Sequence, residues 1–113
     1  MKKLIPDCYW PEVSNGEYVS HEAVCVLNTG AAPVTVELTL YFEDREKLGG
    51  YQVTIPAERT KHIRLDQLVN VEGTAIPRGT PYAMVIEADQ EVAVQYTRVD
   101  TTQSQLAIAT TIV

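Results

Sequence analysis

Residues 34–42, VTVELTLYF, decide the fold class because apolar and polar side chains alternate along them without a break. The even-numbered positions are all apolar, whereas the odd-numbered positions carry Thr, Glu, Thr and Tyr. Successive side chains on a strand point to opposite faces, so the pattern predicts a strand with one buried face. Residues 51–55, YQVTI, repeat the same alternation and predict a second strand of this kind.

Three further segments are apolar on both faces: AVCVL (23–27), AMVIEA (83–88) and LAIATTIV (106–113). A strand of this type needs cover on both sides. In a sandwich the facing sheet covers one side, and the other side needs a second subunit, a loop or a ligand. Exposed apolar patches of that size are uncommon on monomers, so the pattern predicts an oligomer.

Turn signals rich in Gly, Pro, Asn and Asp separate the strands, as in SNG (14–16), NTGAAP (28–33), LGG (48–50) and IPRGTP (76–81). We predict seven or eight strands, the eighth around Cys8–Trp10, and one helical turn in LDQLV (65–69). Several short strands at this spacing indicate a sandwich or a jelly roll. The expected fold is therefore all-β, with a single antiparallel, jelly-roll-like β-sandwich domain over residues 1–113.

The formal net charge of −6 disfavours broad nucleic-acid binding, although a local basic patch can still act at short range. No apolar run approaches the ~20 residues of a membrane span, and the first residues lack the features of a signal peptide. We therefore expect a cytoplasmic protein that does not insert into membranes. Cys8 and Cys25 form no disulfide framework and are interpreted as reduced thiols.

A basic stretch, TKHIRL (60–65), follows Arg59 and brings Lys61, His62 and Arg64 close together. If it is a strand, Ile63 belongs to the core, and His62 and Arg64 point outward together. Lys61 would lie at the end of the core face, where its ammonium group reaches water. The stretch is either a solvated strand face or one wall of a binding site whose other residues come from different strands.

Two other strands carry candidate residues. His21 beside Glu22 suggests acid–base catalysis, but neighbouring strand residues face opposite sides, so polar strand-end residues are the preferred interpretation. Arg98 and Asp100 share a face with Tyr96. They either pair with each other, cap the strand end, or bind a carboxylate, a phosphate or sugar hydroxyls.

Metal and cofactor sites are not expected. His21 and Cys25 share a strand face, but residues four apart on a strand lie about 13 Å apart, too far to share one zinc ion. There is no Gly-rich phosphate loop and no nucleophile elbow. Trp10 is either an aromatic plug at one end of the sandwich or a stacking platform for a sugar or another planar ligand.

Four strings resemble the sensory rhodopsin transducer family: SHEAVCVLNTG (20–30), YFED (41–44), YQVTIPAERTKHIRL (51–65) and VAVQYTRVD (92–100). The resemblance covers about Trp10 to Thr111. It implies a small, soluble, all-β protein that assembles as a tetramer and has no enzymatic activity. One member of the family is proposed to relay the signal of a membrane-embedded photoreceptor. The family has also been proposed to bind small molecules, among them carbohydrates. DNA binding has been suggested for its photoreceptor-coupled branch. The segment between Trp10 and Ser20 is short and the chain stops at Val113 without an extended tail, which departs from the rhodopsin-coupled pattern and argues against light signalling if those segments form the receptor contact. The strand motifs are intact, which favours a retained binding function.

We expect a non-catalytic module that binds a small polar or anionic ligand, such as a sugar, a sugar acid or a phosphorylated metabolite. The expected site gathers polar residues of three strands beside an aromatic wall: Trp10, His21, Glu22, Asn28, Arg59, Lys61, His62, Arg64, Gln95, Arg98 and Asp100. The alternatives are an adaptor that docks on a receptor or signalling protein, a hydrolase or isomerase built on a histidine, and a weak DNA-binding regulator.

Overall fold

The computed structural model describes residues 1–113. Its eight strands are β1 (Lys2–Cys8), β2 (His21–Asn28), β3 (Val34–Tyr41), β4 (Leu48–Ile55), β5 (Arg59–Arg64), β6 (Tyr82–Ala88), β7 (Ala93–Asp100) and β8 (Ala107–Ile112). They form two four-stranded sheets, ordered β1-β6-β3-β4 and β5-β2-β7-β8. Every strand pair is antiparallel. One 3₁₀ turn, Leu65–Gln67, follows β5. The predicted all-β antiparallel sandwich with a single helical turn is confirmed.

The core lies between the two sheets and follows the alternation seen in the sequence. The even-numbered residues of β3 are all buried, and the odd-numbered ones are exposed or partly exposed. Val24 and Val26 of β2 contribute to the same core from the opposite sheet, and the core cluster contains 19 buried residues. Alternation along a strand therefore tells which side chains face the core.

Two strand boundaries differ from the sequence prediction. β1 covers Lys2–Cys8 instead of residues around Cys8–Trp10. Pro6 has no backbone N–H, and the chain accommodates it because β1 is an edge strand with a shifted register between Ile5 and Cys8. β4 begins at Leu48 and includes the LGG segment that had been predicted as a turn. Gly50 has a φ of 84°, which a glycine adopts without steric cost.

The outer face of the second sheet is not covered by this chain. In β2 the even-numbered side chains are buried, whereas the odd-numbered ones are partly or fully exposed. All six residues of β8 are exposed. The sheet thus has one face in the core and one open face.

The chain contains no helix long and apolar enough to cross a membrane.

Candidate functional site

The register of the second sheet divides the residues that were expected to form one site. His62 and Gln95 lie opposite Cys25 from either side, so they belong to the outer face. Glu22 lies opposite Arg98 and faces inward. The outward group is His21, His62, Arg64 and Gln95; the inward group is Glu22, Asn28, Arg59, Lys61, Arg98 and Asp100. Within one subunit these two groups cannot contact a common small ligand, because the sheet lies between them.

Two residues of the outward group, His62 and Gln95, line a shallow hollow of about 230 Å³ together with Cys25. Arg64 is held away by two hydrogen bonds to Asp66, both 2.8 Å long. His21 Nδ1 lies 2.9 Å from the Val19 carbonyl oxygen. Neither histidine lies within hydrogen-bond reach of a carboxylate, which is the contact that acid–base catalysis by these residues requires.

Asn28, at one end of the inward group, uses its side chain for hydrogen bonds within the chain. The Asn28 side chain donates to the carbonyl groups of Ala32, Ile55 and Pro56, and accepts a hydrogen bond from the Gly30 N–H. It therefore fastens two turns together and has no spare donor for a ligand.

Three other charged residues of the inward group lie near solvent. Arg59 and Lys61 are exposed on the edge strand β5. Asp100 accepts hydrogen bonds from the backbone N–H and the hydroxyl of Thr102 and so caps the turn after β7. Of the two structural roles considered for Arg98 and Asp100, capping of the strand end is observed for Asp100. The ion pair between them does not form, because Arg98 contacts Asp7 instead.

The other end of the inward group contains a buried carboxylate. Glu22 is only 1% exposed and has no cation in direct contact. Tyr82 Oη donates to Glu22 Oε1 at 2.5 Å, Tyr96 Oη donates to Glu22 Oε2, and the Tyr9 N–H donates to the same oxygen at 2.8 Å. A buried charge is tolerated when its oxygens are hydrogen-bonded in this way. Residues of β2, β6 and β7, together with the residue that follows β1, thus meet at one carboxylate.

The groups around Glu22 stay protonated to unusually high pH. Burial and the neighbouring Glu22 carboxylate raise the pKa of both the Tyr82 and the Tyr96 phenols above their usual range. Burial, followed by the charge of Glu22, raises the pKa of the Cys8 thiol to about 12. Each of these groups would lose its proton next to an existing negative charge in a medium of low polarity. The two hydroxyls are therefore held as donors to Glu22.

Arg98 connects this cluster to the surface. Its Nε donates to Tyr96 Oη at 3.4 Å, and one terminal nitrogen, Nη2, lies 3.2 Å from the Asp7 carbonyl oxygen and 3.5 Å from Asp7 Oδ1. The other terminal nitrogen, Nη1, makes no hydrogen bond within the chain. The side chain is 26% exposed. A guanidinium group held on one side with free donors on the other can bind a carboxylate or a phosphate.

A cleft of about 290 Å³ opens at Arg98, between β1 and the β7–β8 pair. Its walls combine apolar and polar side chains: Ile5, Pro6, Asp7, Tyr96, Arg98, Ala109 and Thr111. Other hollows on the molecule have volumes of 220 to 350 Å³, so volume does not distinguish this one. Its distinguishing feature is the guanidinium group that the buried cluster holds in place. We call this the Arg98 cleft.

Trp10 lies beyond the end of β1. The Arg78 guanidinium carbon is 4.6 Å from the centroid of the Trp10 ring. The Trp10 carbonyl oxygen accepts a hydrogen bond from the Gly79 N–H at 2.8 Å. The indole packs against the core, and its buried Nε1 has no partner. These contacts fit an aromatic plug, since the ring face is already occupied by an arginine.

Sequence reasoning missed Asp7, Cys8, Tyr82 and Tyr96 as members of the site. One signal was available: Glu22 is in phase with Val24 and Val26, so it faces the core, and Tyr96 is in phase with Arg98. The contributions of β1 and β6 depend on sheet order, which the alternation does not give.

The chain was compared with known proteins. The family model described as "Anabaena sensory rhodopsin transducer" matches residues 2–113. No curated protein matches the sequence. The solved structure of Thermotoga maritima 1070 is similar with a TM-score of 0.86 and 32% identity, covering 98% of this chain and 90% of that chain. The Anabaena sensory rhodopsin transducer is similar with a TM-score of 0.76 and 40% identity, covering 91% and 90%. The chain belongs to the Anabaena sensory rhodopsin transducer family.

Proposed function

We propose that the protein is a non-catalytic signalling module whose Arg98 cleft binds a small anionic ligand of sugar-acid type. One observation carries the proposal: a guanidinium group with free donors is held at the mouth of a cleft by a buried Glu22–Tyr96 contact. Membership of a transducer family supports the signalling role. The family resemblance noted in the sequence supports small-molecule binding.

The lining of the cleft suits a sugar acid. Arg98 would bind the carboxylate of the ligand. The Asp7 carboxylate would accept hydrogen bonds from sugar hydroxyls, and the Thr111 hydroxyl would donate to them or accept from them. Ile5, Pro6 and Ala109 would contact the apolar face of the ring. The volume of about 290 Å³ lies at the lower end of ligand pockets, which fits a ligand of one ring.

A thermal-shift experiment tests this proposal. D-glucuronate, D-glucose and glucose 6-phosphate serve as probes, and a ligand at 100 times its Kd adds about 2.7 kcal/mol to the free energy of unfolding. We expect D-glucuronate to raise Tm more than glucose does. Arg98→Met should abolish the shift, because it keeps the aliphatic stem and removes the charge.

The matched control is Arg64→Met, which removes an arginine of the same sheet that is paired with Asp66 on the outer face. It should leave the D-glucuronate shift unchanged. Equal shifts for D-glucuronate and glucose, no shift with any probe, or an intact shift in Arg98→Met would each contradict the proposal.

A second candidate function is docking on a receptor or signalling protein through the open face of the second sheet. Leu27, at 44% exposure, and Ile108, at 61%, give that face an apolar character, which is typical of interaction surfaces. Leu27→Asp would then weaken binding to a membrane-embedded sensory rhodopsin in nanodiscs, while Arg98→Met would not.

The remaining properties of the proposal follow the family resemblance and the charge of the chain. We propose a homotetramer that acts in the cytoplasm, without a cofactor, a metal or an enzymatic activity. Weak DNA binding is a lesser alternative, because the net charge of −6 means that the basic β5 strands of several subunits would have to converge on one face.

A further inference from the structure

We infer that a hollow on the first sheet binds a small organic cation of the methylated-ammonium class. The hollow has a volume of about 220 Å³ and lies where the end of β1, the start of β6 and the end of β3 meet. Its lining combines three aromatic side chains with two carboxylates: Tyr41, Phe42, Tyr82, Asp7 and Glu43. We call it the aromatic hollow. Arg98 does not line it, so the inference does not rest on the proposed function.

The aromatic hollow differs from the other hollows in its charge. Asp7 and Glu43 line it, and no arginine, lysine or histidine does. Each of the four other hollows is lined by at least one arginine, lysine or histidine. Glu43 is exposed and forms no ion pair within the chain, and Asp7 has only its 3.5 Å contact with Arg98. Unbalanced negative charge in a hollow attracts a cation.

The aromatic rings provide the second part of the site. A ring face carries partial negative charge and attracts a cation within about 6 Å of its centre. The chain already uses two of these rings in this way. The Arg45 guanidinium carbon is 5.3 Å from the Phe42 centroid, and the Lys47 ammonium nitrogen is 5.9 Å from the Tyr41 centroid. Neither cation lines the aromatic hollow, so neither covers the ring surfaces that face it.

Tyr82 connects the aromatic hollow to the buried carboxylate. Its hydroxyl donates to Glu22 Oε1 at 2.5 Å, and Glu22 has no cation in direct contact. Donation to an anion raises the electron density of the phenol ring, which strengthens the attraction of the ring for a cation. Because Glu22 is buried, solvent and salt screen its charge only weakly. Glu22 therefore adds to the negative potential at the hollow.

The lining favours a methylated ammonium ion over a bare one. A bare ammonium group has three donors that need acceptors. The Tyr82 hydroxyl is already bonded to Glu22, and Pro6, Pro81 and Ala83 add apolar surface to the lining. A trimethylammonium group has no N–H, and its methyl groups can pack on rings and prolines while the ring faces attract its charge. The volume lies below the usual range of ligand pockets, which fits an ion of the size of choline.

Choline and its neutral isostere, 3,3-dimethyl-1-butanol, test the need for a charge. The two molecules have the same shape, because a carbon atom replaces the nitrogen. Titration of ¹⁵N-labelled protein, followed at the Phe42 and Ala83 amides, gives both Kd values. Choline should bind about tenfold more tightly than the isostere, and more tightly than ethanolamine, which has a bare ammonium group. Equal Kd values for choline and the isostere, tighter binding of ethanolamine, or no saturable shift with choline would each overturn the inference.

Tyr41→Leu tests the contribution of a ring. It keeps an apolar side chain and removes a ring face, so the choline Kd should rise about two- to fivefold. The matched control is Tyr18→Leu, which removes a ring that does not line the hollow and is more exposed, 62% against 43%. It should leave the choline Kd unchanged. Both side chains are exposed, so neither change removes core packing. Equal choline binding by the two variants would contradict the site.

Glu43→Gln tests the contribution of a carboxylate without changing the shape of the side chain. The choline Kd should rise about two- to threefold at low ionic strength, and the difference should shrink in high salt. Glu37→Gln, on the exposed outer face of β3, is the matched control and should bind choline like the wild type. An unchanged Kd in Glu43→Gln at low ionic strength would mean that the charge of the hollow does not attract the ligand.

Arg98→Met distinguishes this inference from the proposed function. It should abolish the D-glucuronate shift and leave the choline Kd unchanged, because Arg98 does not line the aromatic hollow. Loss of choline binding in Arg98→Met would place choline in the Arg98 cleft and overturn the inference. If the wild type binds choline but not D-glucuronate, the proposed function fails and the cation site stands.

Discussion

The Arg98 cleft and the hollow beside His62 lie on opposite sides of the same sheet and have similar volumes, about 290 and 230 Å³. Both are lined by residues that the sequence marked as site candidates. The Arg98 side chain is fixed by hydrogen bonds to Tyr96 and Asp7, and Tyr96 is fixed in turn by the buried Glu22. The His62 side chain is exposed and has no such support.

This difference indicates which side of the sheet is prepared to bind a ligand. A polar group that is already held in position loses less conformational entropy when a ligand arrives. In the supporting layer behind Arg98, Tyr96 also lines the cleft, whereas Glu22, which holds Tyr96, is buried and does not line it.

Glu22→Ala should have the largest effect on stability. It leaves a cavity in the core and removes the acceptor of the Tyr82 and Tyr96 hydroxyls. We expect the free energy of unfolding to fall by about 3–5 kcal/mol, measured by urea denaturation. Glu37→Ala, on the exposed face of β3, is the matched control and should change it by less than about 0.5 kcal/mol. A loss below about 1 kcal/mol for Glu22→Ala would mean that the buried carboxylate does not support the cleft.

Alkaline pH should destabilise the fold through the same cluster. The pKa of Cys8 is raised from 9.0 to about 12, and those of Tyr82 and Tyr96 are raised above 10.0, with burial as the main cause. The folded state therefore keeps protons that the unfolded state releases above pH 9, so stability falls as pH rises. Each such group contributes a slope of up to about 1.4 kcal/mol per pH unit.

Denaturant midpoints measured from pH 8 to pH 11 check this slope. Cys8→Ala should make the decline shallower between pH 9 and 10, where the Cys8 thiol of the unfolded chain titrates ahead of the tyrosine phenols. Cys25→Ala is the comparison variant for the thiol outside the core. If the free energy of unfolding stays constant up to pH 11, the folded state does not raise the pKa values of these buried groups, which contradicts the prediction.

Tyr96→Phe should have an intermediate effect and should act on both stability and the position of Arg98. It removes one donor to Glu22 and the acceptor of the Arg98 Nε bond. We expect a loss of about 1–3 kcal/mol in the free energy of unfolding. Tyr51→Phe is the matched control, since the Tyr51 hydroxyl bonds only to the Ala75 carbonyl.

The same pair of variants distinguishes an effect on the position of the Arg98 side chain from a general loss of stability. Tyr96→Phe should weaken D-glucuronate binding measured by calorimetry below the melting temperature, whereas Tyr51→Phe should not. If both variants bind equally well, Tyr96 does not position Arg98 for a ligand.

His62→Ala should have the smallest effect. The side chain is exposed and forms no hydrogen bond within the chain, so the free energy of unfolding should change by less than about 0.5 kcal/mol. D-glucuronate binding should also be unchanged. A large loss of binding would move the ligand site to the outer face and reverse the comparison of the two hollows.

The alternation of residues was enough to predict the sandwich and the division of His21 from Glu22. It could not place β1, because Pro6 and the register shift obscure the strand pattern of residues 2–8. It also could not show that Tyr82 meets Glu22, 60 positions away in the sequence. That contact depends on sheet order and on the packing of one sheet against the other, which no local pattern encodes.

Residue type alone was a poor guide to the site for a related reason. Asn28 looked like a ligand contact but fastens turns, and Arg64 looked free but pairs with Asp66. Polar residues have more than one use in a fold, and only their neighbours in space decide between them.

Chemical-shift mapping tests the central claim most directly. ¹⁵N-labelled protein is titrated with D-glucuronate, and the backbone amide shifts are followed on both sides of the second sheet. The account predicts saturable shifts at Asp7, Arg98, Ala109 and Thr111, with little change at His62. Shifts centred on Cys25 and His62, or no saturable shift at any residue, would contradict it.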